Sequence, residues 1–530
     1  MKYRNPVIPG FYPDPSVCRV GEDFYLVNSS FEFFPGVPLY HSRDLVNWRQ
    51  AGHVLTRESQ LPLAGVRASG GIYAPTIREH AGRYYMITTN IGGWHTGAQN
   101  FIVHAQDPLG PWSEPVLLDQ EGIDPSLFWD DDEACYYVGT HQGEKGSCIG
   151  QFQLDPDTGA RLTETRPIWY GTGGKCPEGP HMYKIGGWYY LMIAEGGTEY
   201  GHMETIARSR QLWGPFESCP HNPILTHRNL MPGFDAMLDP DYVEFQGTGH
   251  ADLVEDSAGG WWLVFHAIRP TQGQLHHIGR ETMLAPVEWV DGWPVVNGGQ
   301  LIQAVMEAKA TPGARLDSQG FAAQGSFSVE EDFTQVQALP AGWAHLRGQK
   351  PGGCRFEQGL VLTAGEDSLD SPLGSPSFAG VRQRQFLAFV ETELLPQPEA
   401  QAGLTVFHTH QHHYDLTLVQ RDGQRAALLR KRVCDMVTES ALVPLPGEGP
   451  VTLQIHSDKQ GYRFFAKAQG QEPVLVGQGL SQLLSTEVMA GTFTGCFFGL
   501  FCQGQPGAQA RFSRFTCRYS GEESGGPAPQ

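Results

Sequence analysis

Over the first 305 residues the apolar positions fall in short runs rather than in helical stripes. Runs such as Tyr84 to Thr89, Tyr189 to Ile193 and Trp261 to Phe265 are β-branched or aromatic and bounded by Gly or Asp, which is the pattern of short strands. No 3.6-residue period emerges in this half. Five aromatic runs stand out: Phe24-Tyr25-Leu26-Val27, Tyr84-Tyr85-Met86-Ile87, Tyr136-Tyr137-Val138, Trp188-Tyr189-Tyr190-Leu191 and Trp261-Trp262-Leu263-Val264. Each follows a short apolar stretch and a Gly or Asp turn. Ahead of each stands a similar opening: Asp14-Pro15-Ser16, Ala74-Pro75-Thr76, Asp124-Pro125-Ser126, Glu178-Gly179-Pro180-His181 and His250-Ala251-Asp252. The openings recur at roughly 50 to 70 residues, a period that indicates a radial β architecture. An all-β, five-bladed β-propeller is predicted for residues 1–305.

After residue 305 the pattern changes. Residues 306–325 are small and polar and read as a linker with room for one short helical stretch. From 326 to 519 the strands lengthen and alternate with period two, as in Leu404-Thr405-Val406-Phe407 and Tyr414 to Leu418, or Val451 to Ile455 and Tyr462 to Phe465. Such alternation with frequent turns predicts a β-sandwich. The tail, 520–530, is rich in Gly, Glu and Pro and is expected to be disordered.

Repeats around an axis place equivalent residues at equivalent radii, so Asp14, Asp124 and Glu178 should converge. An Asp opening a single Asp-Pro-Ser is ordinarily an Asx-turn former. Ala74 at the same point of the second repeat shows that the turn needs no acid. Paired carboxylates in a cleft are what glycosidic bond cleavage requires: one ionised to deprotonate water, one protonated to serve the leaving oxygen. A third can push the acid's pKa upward. Spacing alone does not distribute these roles.

Charge narrows the partners. The 530 residues hold 37 Lys and Arg against 57 Asp and Glu, a formal net charge of -20, which speaks against nucleic acid or an anionic membrane surface. The first ten residues, MKYRNPVIPG, have no apolar stretch of a signal peptide, and no window reaches the length of a membrane span. Ten scattered cysteines without a CxxC pair suit reduced thiols, so a cytoplasmic location is expected.

Several stretches resemble glycoside hydrolase family 43. They are Asn5 to Ser16, Ser29 to Pro38, His41 to Trp48, Gly122 to Phe128, Glu178 to His181, Ala194 to Thr198 and Gly279 to Thr282. Glu331-Asp332-Phe333 and Phe493-Thr494-Gly495-Cys496-Phe497 are similar to the second domain of its β-xylosidase and α-L-arabinofuranosidase branch, a concanavalin-like jelly roll. The resemblance implies an exo-acting, inverting glycosidase that frees terminal β-D-xylose or α-L-arabinofuranose from oligosaccharides without an organic cofactor. It implies Asp14 as general base, Glu178 as general acid and Asp124 as the group that tunes that acid. The base and acid carboxyls of an inverting pair stand about 6.5–9.5 Å apart.

By the same resemblance Arg280 hydrogen-bonds the terminal sugar, Phe31 and Tyr73 wall its pocket, and Phe497 reaches over it from the sandwich. Tyr73 stands where relatives often carry Trp, which leaves the choice of sugar open. His250 matches a histidine near the axis, with a calcium ion beside it as an option. An endo-arabinanase and a non-catalytic carbohydrate-binding propeller are the alternatives, and a homo-oligomer is compatible with all three. The run His408-Thr409-His410-Gln411-His412-His413 reads as a solvated strand face rather than a zinc site. Gly171 to Lys175 reads as the loop leading into the fourth repeat rather than a phosphate loop.

Overall fold

The computed structural model describes residues 1–520 except 229–244, 319, 321, 323–327, 349–351, 422 and 490. The tail beyond Ser520 and part of the 306–325 segment lie outside the described residues. Among those described there is no α-helix, and no helix long and apolar enough to cross a membrane.

Five antiparallel sheets make the propeller, three of four strands and two of five. Their innermost strands are Ser16–Val20, Thr76–His80, Ser126–Trp129, Glu178–Ile185 and Gln246–Glu255. Every aromatic run falls in the second strand of its blade: Asp23–Val27, Arg83–Ile91, Cys135–Gly143, Trp188–Glu195 and Trp261–Ile268. Their rings meet the next blade edge-on or tilted. Tyr25 packs on Tyr84 at 5.5 Å, Tyr85 on Trp129 at 5.0 Å, Phe128 on Tyr189 at 6.2 Å and Tyr190 on Trp289 at 5.1 Å. Such pairs add about 0.5–1.5 kcal/mol each beyond area burial, and they explain why the repeat carries aromatics at one register.

The circle is closed by the N-terminus. Lys2–Arg4 pairs antiparallel with Val305–Glu307, and Val7 and Ile8 hydrogen-bond Thr282 of the fifth blade. The segment expected to link the domains turns back on this closure: Ala308 N–H donates to the Met1 carbonyl at 2.9 Å and Ala322 N–H to that of Lys2 at 2.7 Å. At the axis, the buried Asp252 carboxylate of blade five gathers the other blades. It accepts from Arg78 of blade two (2.8 and 3.1 Å), Tyr183 of blade four (2.6 Å) and Ser16 of blade one (2.8 Å). A buried charge this fully paired orients the inner strands, and deleting one partner would cost about 3–5 kcal/mol.

The second domain is a sandwich of an eight-stranded and a nine-stranded sheet, with Leu404, Leu416, Ile455, Phe464, Leu500 and Phe512 between them. Its ninth strand is borrowed: Phe33–Phe34 of the propeller pairs with Trp343–Leu346. Between the domains lies an aromatic cluster of Phe11, Phe31, Phe33, Phe378, Phe407 and Phe497. The histidine run departs from its expected solvated face. It bends into a hairpin between Ala400–Thr409 and His412–Arg421, which buries His408, His412 and His413. His408 is bonded to the Leu484 carbonyl at 2.6 Å. His413 lies between Asp415 and Asp370 at 2.9 and 3.0 Å; burial disfavours its charge, but those carboxylates outweigh it and raise its pKa to about 9.

Candidate active site

Asp14 and Asp124, just before their inner strands, and His250, within the fifth, share a backbone feature that positions their side chains. Asp14, Asp124 and His250 have φ of 53°, 54° and 51°, and Gly179, just after Glu178, has φ 56°. Left-handed backbone at non-glycine residues costs about 1–3 kcal/mol and persists where surrounding contacts impose it. At Gly179 the contact is explicit: a Cβ would lie 3.0–3.1 Å from three atoms of the His250 imidazole. Glycine lets that ring lie against the backbone that carries Glu178.

Asp14, Asp124, His250 and Arg280 are 5–7% exposed. Asp14 Oδ1 accepts from Arg280 Nη1 at 2.7 Å, and Oδ2 from Ser29 Oγ at 2.5 Å. The Asp14 backbone N–H donates to His266 Nδ1 at 3.1 Å. That bond makes Nδ1 an acceptor and leaves the proton on Nε2, which faces Thr198 Oγ1 at 3.2 Å. Thr198 Oγ1 also accepts from Arg280 Nη1 at 3.0 Å. Arg280 is thus fixed by Asp14 and Thr198 in the propeller, and by the Phe493 carbonyl of the sandwich at 3.3 Å.

These contacts separate the carboxyl groups electrostatically. Burial alone would raise the Asp14 pKa, but the Arg280 guanidinium, with His250 and His266 beside it, holds the carboxyl well below the usual range. Burial keeps both imidazoles neutral at neutral pH, so Arg280 supplies the charge. Glu178 moves the other way: burial first, then the negative Asp14, raise it to about 7 against the pull of Arg280. Asp124 is raised well above its ordinary value by burial, then by Glu178 and Asp14. Asp124, expected as the group that tunes the acid, is itself a carboxyl that favours its protonated form beside Glu178.

Phe31 and Tyr73 adjoin at 5.2 Å, and the Arg280 guanidinium lies 5.8 Å from the Phe31 ring. Phe497 is displaced from its expected place. It is 0% exposed, stacked on Phe33 at 4.2 Å inside the interdomain cluster. The sandwich residue beside Phe31, Tyr73 and Arg280 is Phe493, on the loop before the strand, 6.1 Å from Phe31 in a stacked orientation. Sequence reasoning did not assign roles to Ser29, Thr198, His266 or Phe493, although Ser29, Thr198 and Phe493 lie within stretches that carried the resemblance. The loop Gly171–Lys175 is strapped by Glu195, which accepts from the N–H groups of Thr172 and Gly174 and from Thr205 Oγ1. This hairpin-side clamp delivers the chain to Glu178, as read from the sequence.

Asp14, His250 and His266 bring potential ligand atoms within 4.8 Å of one another. The set does not fit calcium, which takes roughly six to eight oxygen ligands. It offers one carboxylate and two imidazoles; the carboxylate already faces Arg280, and His266 Nδ1 is occupied by the Asp14 N–H.

A propeller that carries several carboxyl groups near its axis, with a sandwich loop beside them, has the makings of a glycoside hydrolase, and the similarity of the chain to known proteins assigns it to that class. Residues 3–294 match the model of glycosyl hydrolases family 43, and 330–518 that of the beta xylosidase C-terminal concanavalin A-like domain; the chain belongs to family 43. It is 42% identical to a non-reducing end alpha-L-arabinofuranosidase of Bacteroides ovatus, across 95% of this chain and 91% of that protein. A xylosidase/arabinosidase of Butyrivibrio fibrisolvens is 37% identical over 97% and 98% of the two chains. The crystal structure of a xylan beta-1,4-xylosidase from Bacillus halodurans superposes with a TM-score of 0.88 at 33% identity, covering 97% of this chain and all of that one.

Proposed function

We propose that the protein removes single terminal α-L-arabinofuranose or β-D-xylose units from plant-type oligosaccharides with inversion at the anomeric carbon. The observation that carries this reading is that Arg280 and Ser29 bond both oxygens of Asp14, at 2.7 and 2.5 Å, which favours its ionised form, while burial and the nearby Asp14 charge favour the protonated form of Glu178. Asp14, ionised, takes a proton from the attacking water. Glu178, protonated up to about pH 7, gives its proton to the departing oxygen. The Glu178 proton leaves with the freed alcohol and the water proton stays on Asp14. Solvent then takes the proton from Asp14 and restores the one on Glu178, while Asp124, itself raised by burial and the neighbouring Glu178, tunes that acid. Arg280, Phe31, Tyr73 and Phe493 hold the terminal sugar. Phe493 and its loop close one end of the pocket, which supports release of single units over cleavage within a chain. The names of the similar proteins favour arabinofuranose and xylose alike, and both sugars enter the proposal.

No metal takes part in these steps. Dialysis against EDTA should leave kcat/KM within about twofold; a loss restored by calcium would overturn that part. The ten free cysteines support a working place where thiols stay reduced.

The test is hydrolysis of 4-nitrophenyl α-L-arabinofuranoside and 4-nitrophenyl β-D-xylopyranoside by the wild-type protein, and of arabinofuranosyl and xylosyl oligosaccharides, whose leaving alcohols need a proton, by wild type and Glu178→Gln. Wild-type release from either, reduced about 10²–10⁴-fold in the variant when the leaving group needs protonation, is expected. Equal rates of the two proteins on the oligosaccharides, or no wild-type release from either sugar, would sink the proposal.

A further inference from the structure

We infer that Ser69 is the positioning residue that couples the sandwich domain to the sugar pocket; the inference rests on the pocket taking the terminal sugar. Ser69 lies in the tight turn before Gly71–Ile72, 1% exposed and with φ 55°. Its three polar groups run in three directions. The N–H donates to Glu32 Oε2 at 3.0 Å, the carbonyl accepts from the Tyr73 hydroxyl at 3.1 Å, and Oγ accepts from the Phe493 N–H at 3.0 Å. One residue therefore grips both aromatic walls, one from each domain.

The grip continues through the Phe493 peptide. Its N–H is held by Ser69, while its carbonyl accepts from Arg280 Nη2. Arg280 in turn bonds Asp14, so a continuous line runs from the Ser69 hydroxyl to the proposed base. The loop that carries Phe493 is anchored on the fifth blade near both ends. Thr486 N–H donates to the His276 carbonyl, Glu487 receives the His276 N–H and faces its Nδ1, and Cys496 N–H donates to the His277 carbonyl. Ser69 supplies the tie on the opposite wall, in blade two. The same turn is held a second time by the sandwich, through Arg347 Nε donating to the Val66 carbonyl.

A serine in left-handed backbone carries a cost that glycine would avoid; what glycine lacks is the hydroxyl. Three variants separate the hydroxyl from the backbone. Ser69→Ala removes Oγ and keeps Cβ, Ser69→Gly removes both and relaxes the turn, and Ser69→Thr keeps Oγ but adds a β-branch where φ is positive. The measurements are kcat and KM on both 4-nitrophenyl glycosides, with the thermal midpoint of each protein.

Loss of one neutral hydrogen bond at the pocket wall should raise KM about tenfold in Ser69→Ala and Ser69→Gly. Their kcat should stay within about threefold, and the midpoint of Ser69→Gly should not fall. Ser69→Thr should show the reverse split, with KM within twofold of wild type but a lower midpoint. Unchanged KM in the Ala and Gly variants, or a Thr variant as impaired in KM as Ala, would overturn the proposal. So would a loss confined to kcat. Failure of the glycosidase reading would appear in the wild-type protein instead, as absence of nitrophenol release.

Discussion

Asp14 is a buried carboxylate and Glu178 a half-buried one, and a single guanidinium sets them apart. Arg280 contacts Asp14 directly at 2.7 Å, whereas Glu178 feels burial and the Asp14 charge more than it feels Arg280. Activity needs Asp14 ionised and Glu178 protonated, so kcat/KM should rise through an acidic limb below the usual carboxylate range and fall through a limb near pH 7. Asp124→Asn removes the neighbouring carboxyl and should move the basic limb to lower pH; a limb that stays put would contradict the tuning role of Asp124. Arg280→Met removes the charge that depresses Asp14, and the acidic limb should then move toward neutrality. Asp14, Asp124 and Glu178 were legible because they repeat at one register and Ala74 breaks the pattern. The contacts that set their pKa were not: Arg280, read only as a ligand of the sugar, lies 266 positions from Asp14 and His266 lies 252 away, and only blade closure brings them together.

The strands were the most legible elements, since each aromatic run marks a second strand and each interblade contact uses its rings. Phe493 and Phe497 were harder to separate because they lie four residues apart in one motif. The distinction is made where the loop becomes the strand Phe497–Gly504: pairing with Arg382 and Phe407 turns Phe497 into the interdomain cluster, while Phe493 stays on the loop at the pocket. Two substitutions read this difference. Phe497→Ala should cost about 3–5 kcal/mol of stability as a core truncation, with KM of the folded fraction unchanged. Phe493→Ala should raise KM severalfold with a small change in thermal midpoint. The opposite pairing of effects would restore the residue first expected at the pocket. The histidine run was misjudged for a related reason. Alternation along one strand assumes a straight strand, and the turn at His410-Gln411 places His408 and His412 on opposite arms of a hairpin.

At the scale of the whole molecule, the two domains share a sheet, an aromatic core and a pocket wall. Phe33–Phe34 extends the sandwich sheet, Arg269 bonds both Glu281 of blade five and the Arg384 carbonyl of the sandwich, and Gly279 approaches Gly495 so closely that a Cβ on Gly495 would lie 2.0 Å from the Ile278 carbonyl oxygen. Calorimetric unfolding should therefore be one transition; two well-separated transitions would contradict this coupling. The composition, with its 40% hydrophobic residues, foretold large cores, but not that one of them would lie between the domains. The most direct measurement of the central claim is proton NMR of the sugar released in the first minutes from an arabinofuranosyl or xylosyl oligosaccharide. The account predicts a free monosaccharide whose anomeric configuration is opposite to that of the bond cleaved. A first product that keeps the substrate's configuration, or a mixture of shorter oligosaccharides in place of the monosaccharide, would contradict it.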